Sequence, residues 1–194
     1  MQQISQTSLI ITPPSWMEEV IASFSGSLDS EEERMGLSVY LARHNAERGG
    51  GPFGAAVFAG DALVAVGVNQ VLASGFSIAH AEIVALMQAQ RRLGEPVSAM
   101  RGPVTLVTSA EPCCQCFGAL IWAGVERLVC GATTGDVEAI GFDEGPKPVD
   151  WPSVLKARGI EVVLGVLGDE ARSVLSEYVR RGGTIYGPPK RTVG

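Results

Sequence analysis

Apolar and polar residues recur along the chain with spacings typical of both helices and strands. The segment after Ser30 predicts a helix that begins with three glutamates, for which Ser30 is a good N-cap, and that ends near Glu47 before three glycines. Two β-rich runs follow at residues 54–58 and 63–68, and Gly60-Asp61 between them predicts a hairpin.

Residues 79–93 predict a second long helix. Apolar side chains recur there at helical spacing, two arginines lie at the C-terminal end, and Gly94 follows. Such a helix buries its apolar face against a neighbouring layer. We expect that face to carry Ile83, Leu86, Met87 and Leu93.

The remaining segments predict strands that alternate with helices. A short helix is expected at residues 16–24, an apolar one at residues 113–123, and a last one, capped by Asp169, that ends before Gly182. Strands are predicted at residues 104–108, 127–131 and 161–166. This alternation after an initial hairpin predicts an α/β layered domain in which part of the sheet is parallel.

Composition narrows the class of protein. The chain has 194 residues, 46% of them apolar and 19% charged, so it can bury a core and is too apolar to be disordered. We expect one domain over residues 1–194, with a loose arm at residues 1–15. The formal net charge of −6 disfavours general binding to phosphate backbones, so no nucleic acid partner is expected.

The N-terminal segment does not resemble a targeting signal. Its apolar run, residues 9–11, is too short for a signal-peptide core, and the chain has no apolar span of 18 residues. We therefore expect a soluble, cytoplasmic protein with no membrane partner.

Three of the four cysteines lie within four consecutive positions, at Cys113, Cys114 and Cys116, and the fourth is Cys130. Such crowding is unsuited to a disulfide framework. In a reducing compartment it indicates metal or redox chemistry.

The spacing H-x-E … P-C-x-x-C brings together ligands for one metal ion. Residues three apart in the first turn of a helix point the same way, so Cys113 and Cys116 can bind one ion, and His80 supplies a third ligand from the neighbouring helix. Three protein ligands leave one position of a tetrahedral Zn²⁺ to water, whose pKa falls from ~15.7 to about 7. Glu82 is expected beside the ion as the catalytic proton carrier.

The Cys-x-x-Cys pair alone is also compatible with a redox pair or with half of a structural zinc site. A redox pair would not require His80 and Glu82 at the start of the preceding helix. A structural zinc site needs a fourth ligand, for which only the distant His44 and Cys130 are available. We expect His44 on the surface of a helix and Cys130 in the core. Cys114 is expected to point away from the metal.

The whole string resembles the signature of zinc nucleobase deaminases in the cytidine-deaminase-like superfamily, and within it the small bacterial guanine deaminases. The resemblance runs from about Gly51 to Gly145. It rests on residues 50–55, 109–113, 118–123 and 139–144, the last of which resembles the guanine deaminase segment with an acidic contact to the purine. It implies a three-layer α/β/α fold with a mixed five-stranded sheet, and zinc-dependent hydrolysis of guanine to xanthine and ammonia.

The same resemblance implies which residues contact the base. By position, Asn69 corresponds to a base-binding asparagine and Glu144 to the acidic contact, with Asp143 as the second choice. Phe53 is expected to stack on the ring, and the backbone N–H of Ala81 to hold a carbonyl or ring nitrogen. An unpaired buried group on the base costs about 1–3 kcal/mol, which favours such polar partners. A turn residue, a core aromatic and a solvated loop charge are the ordinary alternatives.

Two parts of the chain differ from the family pattern or match it weakly. Residues 76–78, Phe-Ser-Ile, stand where family members usually have Asp-Pro, so the turn before His80 must be made differently. Residues 145–194 should form a C-terminal strand, helix and tail. In small guanine deaminases this segment packs over a partner subunit's site, and Tyr186 is the aromatic expected in that position. Because the family that the chain resembles is often oligomeric, we expect a homodimer.

Other functions share the metal motif. A tRNA adenosine deaminase should be basic, and a cytosine, cytidine or nucleotide deaminase that binds a phosphate should carry an Arg/Lys cluster near the motifs, which the sequence does not show. A non-enzymatic zinc-stapled binding module would not need Glu82. We therefore favour a nucleobase substrate, most simply guanine.

Overall fold

The computed structural model describes residues 11–24, 28–94 and 103–187. The remainder of the predicted N-terminal arm and of the tail lies outside these ranges. None of the helices described there is both long and apolar enough to cross a membrane. The elements are α1 (Met17–Ser23), α2 (Glu31–Glu47), β1 (Gly54–Ala59), β2 (Ala62–Val68), α3 (Val71–Ser74), α4 (Ala81–Leu93), β3 (Val104–Ala110), α5 (Cys114–Ala123), β4 (Arg127–Ala132), α6 (Thr134–Ala139), α7 (Trp151–Lys156), β5 (Glu161–Val163) and α8 (Gly168–Arg180).

Helix α2 begins where its sequence predicts. The Ser30 side chain accepts a hydrogen bond from the Glu33 backbone N–H at 3.2 Å, and the Glu33 carboxylate accepts one from the Ser30 N–H at 2.9 Å. This capping box satisfies two N–H groups that have no partner within the helix.

The five strands form one mixed sheet in the order β2-β1-β3-β4-β5. Strands β1 and β2 are antiparallel and joined at Gly60, whose φ of 57° is one that glycine adopts readily. Strand β3 pairs antiparallel with β1 and parallel with β4, and β5 pairs parallel with β4. The predicted hairpin and the partly parallel sheet are confirmed.

Alternate residues of each strand point to opposite faces of the sheet, and each face is covered by helices. Ala56 and Phe58 of β1 share a core with α1, α2 and α8. Ala55 and Val57 of the same strand share the other core with α4, α5 and α7. The three-layer α/β/α fold is confirmed.

The buried face of α4 differs from the predicted one. Of the expected apolar residues, only Leu86 is buried; Ile83 is half-buried and Met87 is 47% exposed. The Leu93 side chain is not among those that the structure describes. The contact face is made largely of alanines, because β2 approaches α4 so closely at Gly67 that a Cβ there would overlap the α4 backbone. The buried alanines of α4 are Ala81, Ala85 and Ala89.

Two C-terminal boundaries also differ from the prediction. Strand β5 ends at Val163 and not at residue 166. Asp169 is not the N-cap of α8: that position belongs to Leu167, in the left-handed region at φ 48°, and Asp169 lies in the first helical turn, where it pairs with Arg172. The short helices α3, α6 and α7 were not predicted, although Thr133 and Asp136 carry a capping box for α6.

Candidate active site

The N-terminal ends of α4 and α5 meet on one face of the sheet and bring the predicted metal ligands together. His80 is the N-cap of α4, Cys113 is the N-cap of α5, and Cys116 follows in the first turn of α5. Helix N-termini carry partial positive charge, which favours thiolates at this point.

The three side chains are spaced for a single tetrahedral ion. His80 Nδ1 lies 3.4 Å from Cys113 Sγ and 3.5 Å from Cys116 Sγ, and the three ligand atoms lie within 4.8 Å of one another. Zinc bonds of about 2.3 Å to sulfur and 2.0 Å to nitrogen at tetrahedral angles separate such atoms by roughly 3.6 Å. One imidazole and two sulfurs are also the donor set that zinc prefers, so the residues fit this ion.

The two thiols differ in acidity, because each affects the pKa of the other. The hydrogen bond from Cys116 lowers the pKa of Cys113 to about 4, and the Cys113 thiolate together with burial raises the pKa of Cys116 well above its usual range. The negative charge is therefore already present on Cys113, and a bound cation supplies the charge that a second thiolate needs.

Glu82 lies in the first turn of α4, buried beside the ligands and outside their group. Burial raises the pKa of its carboxyl, and the negative charge of Cys113 raises it further. A carboxyl group whose pKa is moved towards neutrality is suited to accept and release protons in one reaction cycle.

The turn before His80 is made without an Asp-Pro pair. Gln70 donates its backbone N–H to the Ala79 carbonyl at 2.8 Å, and Ala79 donates to the Phe76 carbonyl at 3.0 Å. The Gln115 side chain of α5 also donates to the Ile78 carbonyl at 3.2 Å. These bonds hold the His80 backbone in place.

A cavity of about 620 Å³ opens beside the ligand group. Four of the five residues predicted to contact the base line this cavity: Phe53, Asn69, Asp143 and Glu144. Ala81 is fully buried and is not among the residues that line it. Its other lining residues are Val71, Ser77, His80, Glu82, Ala110, Glu111, Cys113, Cys114, Gln115, Phe142, Gly145, Pro146, Tyr186 and Gly187.

Asn69 is fixed in the wall of this cavity by its own backbone and side chain. Its N–H donates to the Phe53 carbonyl at 3.1 Å, and its carbonyl accepts from the Asn45 side chain at 2.8 Å. The side-chain oxygen accepts from the Val71 N–H at 3.2 Å. The buried amide is thereby oriented before any ligand arrives.

Two acidic residues follow each other in the loop after α6 and have different surroundings. Asp143 is exposed, and its carboxylate accepts a hydrogen bond from the Gly145 N–H at 2.8 Å. Glu144 is buried, and its backbone carbonyl accepts from the Cys114 N–H at 2.9 Å, which ties the loop to α5. Burial and the charge of Cys113 raise the pKa of Glu144 to about 8 against the opposing charge of Lys147. A cation held by Cys113 would offset that charge and favour the ionised Glu144 carboxylate.

Three aromatic rings form one wall of the cavity. The Phe142 ring meets the Phe53 ring edge-on at 5.2 Å and the Tyr186 ring at 5.0 Å between centroids. Tyr186 therefore lies at the site of its own chain, and its hydroxyl is buried without a hydrogen-bond partner among the described residues. The sequence prediction did not single out Phe142, although it belongs to the quoted segment 139–144.

The remaining cysteines and the second histidine lie outside the ligand group. Cys130 is fully buried in the core, and His44 is partly exposed on α2, where its Nδ1 lies 2.9 Å from an Arg48 nitrogen. Cys114 lines the cavity next to Gly145 but is not one of the clustered ligands. No fourth protein ligand is present among the described residues, so the group keeps an open coordination position.

Comparison with known proteins agrees with this geometry. A solved structure of guanine deaminase from Nitrosomonas europaea is 46% identical, covers 91% of this chain and 98% of its own, and has a TM-score of 0.82. A protein solved with 8-azaguanine is 45% identical over 92% of this chain and all of its own, with a TM-score of 0.83. Guanine deaminase of Bacillus subtilis is 37% identical over 106 residues, which span 54% of this chain and 66% of that enzyme.

An open imidazole–dithiolate group beside a buried carboxylate, on this fold, defines a zinc-dependent aminohydrolase. Residues 28–132 match the model of the cytidine and deoxycytidylate deaminase zinc-binding region, and the chain belongs to that family. A tRNA-specific adenosine deaminase of Buchnera aphidicola is also similar, at 32% identity over 79% of this chain and 90% of its own.

Proposed function

We propose that the protein deaminates guanine to xanthine and ammonia. The observation that carries this proposal is the buried Glu144 carboxylate in the same cavity as the metal ligands. A carboxylate accepts hydrogen bonds, and guanine presents several N–H donors, whereas the ring edge of adenine presents unprotonated nitrogens that a carboxylate repels. The relatives named guanine deaminase, and the relative solved with 8-azaguanine, support the same substrate class.

The chain's own residues divide the chemistry between them. His80, Cys113 and Cys116 would hold zinc, which would supply a water nucleophile near neutral pH. The Glu82 carboxylate accepts one proton from water and donates it to a ring nitrogen of the base. It then accepts a second proton, from the new C2 hydroxyl, and donates it to the departing amine. The C2–O bond forms, the C2–N bond breaks, and the proton balance closes on ammonia.

The cavity walls orient the base for this transfer. The Asn69 side-chain oxygen is already held by the Val71 N–H, so its amide is oriented to hydrogen-bond the base. Glu144 accepts hydrogen bonds from N–H groups of the purine. Phe53 and its neighbour Phe142 supply an apolar surface for the ring. We assign Asp143 no contact with the base, since its carboxylate is turned to the Gly145 N–H. The predicted contact between the Ala81 N–H and the base has no support in this cavity, which Ala81 does not line.

We further propose that one domain covers the chain, that it acts in the cytoplasm, and that it forms a homodimer. Reduced, metal-binding cysteines fit a reducing compartment. Large apolar side chains project outward from α4, α5 and the turn before α4, and a second copy would cover them. They are Met87, Trp122 and Ile78.

An ammonia-release assay on the zinc-loaded protein tests the substrate. The panel contains guanine, adenine, cytosine, guanosine, cytidine, and a tRNA anticodon stem-loop with a wobble adenosine. We expect guanine to give the highest kcat/KM, with xanthine formed in equal amount to ammonia. Release from cytidine or from the stem-loop in preference to guanine would contradict the proposal.

A further inference from the structure

Lys147 is a lysine that the proposed reaction does not use, and its side chain is only 8% exposed. Its Nζ donates to the Pro112 carbonyl at 2.7 Å and to the Thr134 hydroxyl at 2.6 Å, and it lies 5.2 Å from the centre of the Trp151 ring. Burying an ammonium is costly unless each N–H finds an acceptor and the charge finds a partner.

The two acceptors belong to segments that build the site. Pro112 directly precedes the metal ligand Cys113 at the start of α5. The Thr134 hydroxyl accepts from Lys147 and donates to the Glu111 carboxylate at 2.7 Å, so its one proton is committed and its orientation is fixed. Lys147 thus joins the loop that carries Glu144 to both segments.

The third N–H of the ammonium is left for Glu144. The Glu144 Oε2 lies 3.7 Å from Lys147 Nζ, too far for a hydrogen bond but within ion-pair range. That oxygen has no hydrogen-bond partner among the described residues. Lys147 is the cation that the structure places beside this buried carboxylate.

We propose that Lys147 is a positioning residue that holds the Glu144 carboxylate against the N–H edge of the purine. This inference rests on the proposed function of the site. The two hydrogen bonds to uncharged acceptors anchor the ammonium, and its charge then fixes the carboxylate, whose backbone is already held by the Cys114 N–H. A carboxylate anchored in this way is oriented before the base arrives, which improves binding more than turnover.

A double-mutant cycle tests this role. Lys147→Met in the zinc-loaded enzyme is expected to raise KM for guanine ~10-fold or more, as for loss of one partner of a buried ion pair, and to change kcat by less than about threefold. In a Glu144→Gln background the same substitution should change KM by less than about twofold, because the group through which it acts is gone. Lys156→Met, at an exposed position on α7, is the matched control and should change neither constant.

Lys147→Gln is the second variant, since its amide keeps donors for Pro112 and Thr134 while it removes the charge. It should reproduce the rise in KM even where Lys147→Met fails to fold. An equal rise in both backgrounds, or an unchanged KM, would overturn the inference and leave Lys147 as structural support. If the wild-type enzyme releases no ammonia from guanine, the proposed function fails instead, so the two failures are distinguishable.

Discussion

Gly51→Ala is a small change with a large predicted effect on the site. Gly51 is buried, and a Cβ at this position would overlap the Tyr186 hydroxyl oxygen and come within 2.9 Å of the Asn69 Oδ1 and 3.0 Å of its Cγ. Real Cβ atoms essentially never show separations under 3.0 Å. Both side chains must therefore shift, and Tyr186 must shift the most.

The shift moves groups proposed to orient the base. Displacement of Tyr186 weakens its edge contact with Phe142, worth about 0.5–1.5 kcal/mol. The added Cβ also pushes the Asn69 amide away from its hydrogen bond with the Val71 N–H. A misplacement of ~1 Å can reduce catalysis up to about 100-fold. We expect kcat/KM for guanine to fall roughly 10- to 100-fold, in line with such a misplacement, while zinc content stays unchanged.

Steady-state ammonia release and denaturant unfolding measure the two consequences separately. Gly36→Ala on α2 is the control, because its Cβ would make only an ordinary contact, 3.9 Å from Leu167 Cδ1. That variant should keep wild-type kcat/KM and gain about 0.5–1 kcal/mol, since alanine suits a helix interior better than glycine. Wild-type activity in Gly51→Ala would refute the placement of Tyr186 and Asn69 over Gly51.

Three further predictions follow from other parts of the structure. Chelation of zinc should abolish ammonia release and lower the unfolding temperature, and added Zn²⁺ should restore both; activity in the metal-free protein would contradict this. Hydrogen bonds from Thr133 and the Arg172 pair outweigh burial and lower the Asp136 pKa below its usual 3.8. The stability that Asp136 contributes over Asp136→Asn should therefore be full above about pH 4 and shrink as pH falls below it, in parallel urea titrations; a constant difference would be inconsistent. Trp122→Ser, at a position 92% exposed, should shift the light-scattering mass towards the monomer, because the proposed dimer covers this side chain; an unchanged dimer would contradict that interface.

The ligand group could be predicted because its geometry is local. Cys113 and Cys116 are one helical turn apart, and His80 and Glu82 flank another helix start, so spacing alone brings each pair to one side. Only the contact between the two helix N-termini depends on the tertiary fold. The alternation of strands and helices in the sequence predicted that layered fold as well.

The cavity wall could be predicted only in part because it depends on contacts between distant segments. No sequence pattern singles out Lys147, because its burial follows only from the approach of Pro112 and Thr134. The chain after α8 brings Tyr186 to the cavity of its own chain, and its expected contact with a partner's site stays a prediction. The prediction of the buried face of α4 was wrong, because α4 and the sheet approach so closely at Gly67 that alanines fit there and larger apolar residues do not.

The central claim is that an open zinc site works together with the Glu82 carboxylate, and Glu82→Gln tests it most directly. The measurement pairs kcat for guanine with zinc per chain in the same preparation. We predict one zinc per chain and an unchanged unfolding transition, with kcat reduced ~10²- to 10⁴-fold, the usual contribution of a positioned proton carrier. A variant that binds zinc fully and turns over guanine at a rate near that of the wild type would contradict the account.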